Sequence, residues 1–250
     1  MTPANAASPT RRSRLGAPLP SAFYDRDTAD VARDLLGAVL ECHADGTVAR
    51  GRIVEVEAYL GPHDPACHAV VGLTQRNRHL HGPPGTVYVY RIYGMHWCVN
   101  AVTRAAGHGS AVLVRALVPL DGIEVMRERR GGVADRDLAN GPGKLCRALG
   151  ISGAHDGGRL DRGVVRIRRH VPLPDEAVVV TPRIGITQAA DWPLRYLLAG
   201  DPHVSRTPRH FARLTVSEAE APPARLPTYQ TFVPKWSKVP CVTVHSWPPT

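Results

Sequence analysis

Apolar positions along this 250-residue chain recur first at helical and then at strand spacing. Thr28 to Leu36 sets Val31, Ala32, Leu35 and Leu36 on one helical face, with Thr28 as the expected N-cap and Gly37 as the stop. From Ala38 to Leu60 the period shortens to two, and Asp45-Gly46 in its middle marks a hairpin turn. Two further strands flank Tyr93-Gly94-Met95, which becomes the tip of a protruding hairpin, and Ala111 to Val118 is an apolar strand carrying Arg115. Helices are predicted at about 121–130, where Asp121 and Glu124 have capping-box spacing, and at about 142–149, ending in Gly150. Later strands fit Val164 to Arg168, Val178 to Thr181 and Arg195 to Leu198.

Hairpin strands collected first, helices inserted and more strands afterwards predict the α+β class, because nothing alternates regularly enough for a parallel sheet. The expected architecture is one domain, residues 21–206, around a curved antiparallel sheet with surrounding helices. Residues 1–20 combine four prolines with Arg11, Arg12 and Arg14 and no periodicity, which predicts a disordered basic arm. Residues 207–250 are Pro-rich and predict a poorly ordered tail with no assigned role. No apolar run approaches the roughly 18 residues of a membrane span, so a soluble, cytoplasmic protein with no membrane partner is expected.

Charge narrows the partners. The formal net charge is +9, and arginine supplies all of the 31 basic residues except Lys144, Lys235 and Lys238. That balance favours a polyanion such as nucleic acid, although a GC-rich coding bias enriches arginine in the same way. The five cysteines are odd in number and contain no CxxC pair, so neither a disulfide framework nor a zinc ribbon is indicated. Cys67-His68 and His96-x-Cys98 lack a matching second pair, and no metal or cofactor is expected.

Candidate chemistry concentrates in two segments. In Arg52 to Tyr59 the strand period puts Val54, Val56 and Ala58 on one face and Glu55, Glu57 and Tyr59 on the other. Solvated acids on an exposed sheet face would give the same pattern. In Pro84 to Asn100 the same period aligns Tyr88, Tyr90 and Ile92, while Tyr93 opens the turn at Gly94. Strand aromatics commonly serve cross-strand packing. Tyr93 and Met95, however, sit at a hairpin tip, where they are badly placed for a core and well placed to be pushed into a partner. Carboxylates, flat aromatic surfaces, a projecting tip and surplus arginine are the parts needed to rotate a base out of a duplex and cleave it.

The ordered runs IVEVEAYLGPHDPACH, TQRNR, PPGTVYVYRIYGMHWCVN, VLVRALVPLDG and GPGKLCRALGI resemble the signature blocks of the alkyladenine (3-methyladenine) DNA glycosylases, over residues 23 to about 206. The resemblance implies a monomeric, monofunctional, metal-independent enzyme acting on double-stranded DNA that contains damaged purines such as 3-methyladenine, 7-methylguanine, hypoxanthine and ethenoadenine. It implies that Glu57 activates the attacking water and that Arg115 lies near the attacked nucleotide. Tyr59, His68 and Tyr90 would form the pocket around the extruded base, with Asn100 at its floor crowding the exocyclic amino group of guanine. Tyr93 would fill the vacated stack, with Met95 beside it. Arg76, Asn77 and Arg78 are candidate phosphate contacts, and a solvated basic loop is the ordinary alternative. Arg91, His96 and Trp97 depart from the family around the hairpin tip, and the stretch after residue 206 matches nothing in it.

Other chemistries fit less well. A Schiff-base mechanism needs an amine, and the single lysine of the predicted domain, Lys144, lies in a GPGKL run that looks like a helix start. That run is not a Walker A loop, since its spacing is wrong and no Ser or Thr follows the lysine. Carboxylates at i and i+2 on one strand point the same way, a poor fit to the two sides of a sugar glycosidase. The main rival is a non-catalytic nucleic-acid-binding module using the same aromatics and arginines. Glu55 and Glu57 weigh against it, because acids facing a polyanion weaken binding unless they do chemistry.

Overall fold

A computed structural model describes residues 15–170 and 172–205. The expected tail, and the arm as far as residue 14, lie outside the described residues. Strands β1 (Val39–Ala44) and β2 (Thr47–Tyr59) form the first hairpin, turning at Asp45 and Gly46 with φ of 53° and 69°. These paired left-handed conformations are what a two-residue turn needs to match strand twist, and Asp-Gly is suited to them.

β2 organises the sheet because it is 13 residues long. One edge pairs with β5 (Ser110–Asp121). The other edge takes β1 along its first half and β8 (Arg195–Leu198) opposite Glu55 to Glu57. β3 (Val87–Ile92) and β4 (His96–Thr103) continue beyond β5, β6 (Val165–Arg168) lies beyond β1, and β7 (Val178–Thr181) pairs with β8. Every pairing is antiparallel, and with its helices the fold is α+β, in the expected class.

Helices α2 (Thr28–Leu35), α3 (Ile123–Arg130) and α4 (Pro142–Leu149), with the short α1 (Ser21–Tyr24), complete the unit, and α2 and α4 cover one face of the sheet. α4 buries Leu145, Cys146, Ala148 and Leu149. A fully buried leucine contributes about 1.5–3 kcal/mol, which is ample to hold an eight-residue helix that would not persist alone. Val54, Val56 and Ala58 of β2, Val87 and Val89 of β3, and Val112 and Val114 of β5 face this core. The opposite face of the same strands carries Glu55, Glu57, Tyr59, Tyr88, Tyr90, Asn100 and Arg115, with a smaller cluster of Cys67, Ala69 and Leu80 against it.

Three local expectations are corrected. Asp27, not Thr28, caps α2, its carboxylate accepting from Ala29 N at 2.9 Å, while Thr28 is buried against Thr103. Asp121 does not cap α3: it ends β5 and pairs with Arg50, and Gly122 supplies the left-handed turn into the helix. With Gly122 in the cap position, the Asp121 carboxylate is one residue too early and is taken by Arg50. Residues 15–20, irregular apart from a bridge at Pro18, are not a free arm, because Leu19 is buried and its N–H donates to Ile167 O. No helix among the described residues is long and apolar enough to cross a membrane.

Candidate active site

The face opposite the main helices opens into a cleft of about 390 Å³, within the roughly 300–1,000 Å³ of small-ligand sites. Register explains which side chains meet there: Tyr88 stands opposite Asn100, Asn100 opposite Leu113, and Leu113 opposite Glu57, one residue from each of four adjacent strands. Tyr59, His68, Tyr90, Asn100 and Arg115 all line the cleft. The His68 ring meets Tyr90 edge-on with centroids 4.5 Å apart, and its Nδ1 is 3.0 Å from the Tyr88 hydroxyl. Burial, reinforced by Arg76, lowers the His68 pKa and keeps the imidazole neutral at neutral pH.

Behind this aromatic wall lies a carboxylate network. The β2–β5 ladder is irregular around Glu55, where Arg115 has no residue opposite it. Bulges of this kind re-aim a side chain. Arg115 donates from Nε to Glu55 and from Nη1 to Glu57, each at 3.0 Å. Burial lowers the Arg115 pKa, but Glu57 and Glu55 raise it further, so the guanidinium stays charged.

The two glutamates, both inaccessible to solvent, differ in how they are held. Glu55 accepts from Arg115, Arg195 and the Ser205 hydroxyl on Oε1 and from the Ser205 N–H on Oε2, four bonds that tie it to β5, β8 and the segment after β8. Burial pushes its pKa up, yet Arg115, Arg195 and Ser205 outweigh burial and hold the carboxyl below its ordinary range. Glu57 touches the cleft through its partners: Oε2 accepts from the Tyr59 hydroxyl and Arg115, both at 3.0 Å, and Oε1 accepts from Ile184 N at 2.9 Å. Tyr59, Arg115 and Ile184 all line the cleft. A carboxylate oxygen has two acceptor sites, so Oε1 retains one. Burial and the neighbouring Glu57 raise the Tyr59 pKa and keep its hydroxyl a donor.

The hairpin of β3 and β4 projects beside the mouth. Tyr93 and Met95 at its tip are 79% and 68% exposed. Tyr93 adopts φ 51°, a conformation costly for an aromatic residue and characteristic of functional turns. Below it, Arg76 donates to Arg91 O, tying the 72–77 loop to the hairpin. Arg76 and Arg78 are exposed. Asn77 is not: it is 3% exposed, accepts from Thr74 N and Oγ1, and donates to His68 O and Gly72 O. With its amide fully used, it holds the loop and has nothing to offer a phosphate.

An aromatic slot with a carboxylate held by its lining coincides with a family match: residues 22–202 fit the model described as Methylpurine-DNA glycosylase. The chain belongs to this family. A methylpurine-DNA glycosylase is a hydrolase of N-glycosyl bonds that takes DNA as substrate and serves DNA repair. Among similar proteins, one from Methanoculleus marisnigri is 52% identical over 191 residues, 75% of this chain and 98% of its own length. One from Rhodopseudomonas palustris strain HaA2 is 52% identical over 191 residues, 76% of this chain and 92% of its own. A third, from Chlorobaculum tepidum, is 45% identical over 195 residues, 78% of this chain and 91% of its own. Each bears the name "Putative 3-methyladenine DNA glycosylase".

Several residues that build this cleft carry no signal in the sequence pattern. Arg183 is 1% exposed, pairs with Asp64 through both nitrogens at 2.5 and 2.8 Å, donates to Ala58 O and lies over the Tyr59 ring, 4.7 Å from its centroid. Asp64 in turn accepts from Leu60 N and Ala66 N, which fixes the turn leading to His68. Arg183 and Ile184 follow β7 in an irregular segment, so nothing in spacing links them to residues 57–64. Tyr88 was legible, since it shares the period of Tyr90. Lys144 lies in the first turns of α4 and donates to Asn140. Among the described residues no group of three His, Cys, Asp or Glu side chains is arranged to hold a metal ion.

Proposed function

We infer that this glycosylase extrudes an alkylated or deaminated purine from duplex DNA into the cleft and hydrolyses its N-glycosidic bond with a water activated by Glu57. The observation that carries this reading is the Glu57 carboxylate, fixed by three cleft-lining groups with one acceptor site left on Oε1. Bond cleavage builds positive charge on the sugar, which a carboxylate stabilises while taking the proton of the water. Tyr59, His68 and Tyr90 supply faces and edges for a flat base, and Asn100 is positioned to crowd a purine 2-amino group. Tyr93 fills the vacated stack with Met95 beside it, Arg76 and Arg78 contact phosphate, and Arg115 holds the carboxylate and the nucleotide phosphate or water. One duplex against one site suits a monomer.

An incision assay on duplex oligonucleotides carrying a single hypoxanthine or ethenoadenine tests it. Excision by the parent, with a binding constant falling by several powers of salt at a slope of about −0.9 per neutralised phosphate, supports the reading. Salt-independent binding without excision of any damaged purine counts against it and favours the non-catalytic module.

A further inference from the structure

Eight large apolar side chains are exposed among the described residues, and five of them, Val70, Val71, Leu73, Tyr93 and Met95, lie on two segments bordering the same cleft. Tyr93 and Met95 belong to the hairpin tip. Val70, Val71 and Leu73 belong to a separate loop that begins at the cleft residue His68 and ends at Arg76. Val71 and Leu73 are 74% and 69% exposed, nearly as much as the tip itself.

This loop is held rigid while presenting those groups. Asn77 fastens its base to His68 O and Gly72 O at 3.0 and 2.8 Å, Arg76 anchors it to β3, and Gly72 turns it at φ 75° with open space where a Cβ would stand. Soluble proteins seldom cluster exposed apolar groups without a partner. The surroundings identify that partner by charge. Between Asp64 and Asp121 the chain has no acidic residue, and Arg76, Arg78 and Arg91 flank the apolar tip. Apolar groups with exposed arginines on the same segments fit a surface whose rim is phosphate and whose interior is stacked bases. Proteins that bend duplexes insert such wedges between base steps.

We propose that Val70, Val71 and Leu73 form a second apolar contact that enters the minor groove and presses on base pairs flanking the extruded nucleotide. The hairpin fills the vacated position, and the loop holds the adjoining stack displaced. This rests on the extrusion reading, but its test uses binding alone and stands apart from any assignment of Glu57.

The probe is a duplex bearing one non-cleavable abasic analogue, with 2-aminopurine reporters placed in the flanking pairs of each strand. The double variant Val71→Ser, Leu73→Ser changes only exposed side chains, so its fold is secure, and Val164→Ser at the far edge of the sheet is the control. The expected result is a roughly tenfold loss of affinity with an unchanged salt slope, and loss of a flanking fluorescence increase that the parent and the control retain. Unchanged affinity and fluorescence overturn the proposal. So does a reduced salt slope, which would make the loop a phosphate contact. Conversion of a self-associating parent into a monomer with unaltered DNA affinity would assign the patch to a second copy of this chain and overturn it as well.

Discussion

The Tyr59 hydroxyl donates to Glu57 Oε2 over 3.0 Å, so the ring that walls the cleft also orients the carboxylate behind it. The neighbouring glutamate, Glu55, shares Arg115 with Glu57 but takes its other bonds from Arg195 and Ser205, neither of which lines the cleft. Glu57→Gln is therefore expected to bind damaged DNA about as well as the parent while its single-turnover excision falls by roughly 10²–10⁴-fold. Glu55→Gln removes charge from a buried network and should instead lower stability. Near-parental excision by Glu57→Gln, with abolition by a folded Glu55→Gln, would move the base by one pleat.

Acid should unfold this domain through its buried glutamates. Burial raises the Glu41 pKa, but Arg168, Arg50 and His43 outweigh it and bring it down to about 2 from an ordinary 4.5. Glu55 is lowered in the same sense. A folded pKa below the unfolded one means stability that is fully present above about 4.5 and lost as pH falls toward 2. Urea midpoints should stay level from pH 7 to 5 and drop steeply below 4.5. Arg50→Met should flatten that drop, and an unaltered slope would remove Glu41 as its source.

Tyr93 occupies a left-handed turn at φ 51°, so Tyr93→Asn removes the ring while keeping a residue that tolerates this conformation. Excision from duplex should fall more than excision from a single strand, since only the duplex needs the gap filled at a cost of a few kcal/mol. Equal losses on both substrates would mean the ring acts within the cleft.

Asn100 commits Nδ2 to Tyr88 O at 3.0 Å. That bond fixes the amide in place, so under the proposed function Asn100 excludes a purine 2-amino group by crowding. Asn100→Ser should raise excision of guanine-type bases relative to ethenoadenine in competition assays. An unchanged ratio assigns Asn100 to strand pairing alone.

Arg183 and Asp64 are both fully buried at their side chains. Removing one member of such a pair strands the other charge, so Arg183→Met should cost about 3–5 kcal/mol in urea unfolding. The double change to Met and Asn should recover part of that loss. Additive single effects would show that the two do not act as a pair.

Periodicity was enough to predict the hairpin at Asp45-Gly46, α4 and its Gly150 stop, the strands at Val178 to Thr181 and Arg195 to Leu198, and the shared face of Glu55, Glu57 and Tyr59, because each depends on backbone geometry within a few residues. Motif order was enough for the family, since it is a property of the chain. The unlike environments of Glu55 and Glu57 were not legible. They arise because β8 and Ser205 close over one glutamate, and Ile184 and Tyr59 over the other, through contacts spanning up to 150 residues. Asn77 was misplaced for a related reason: a polar residue in a polar loop looks solvated until the chain folds back and uses its amide at both ends. Local order follows from spacing, whereas burial of a charge and the partners that neutralise it are set only when distant segments pack.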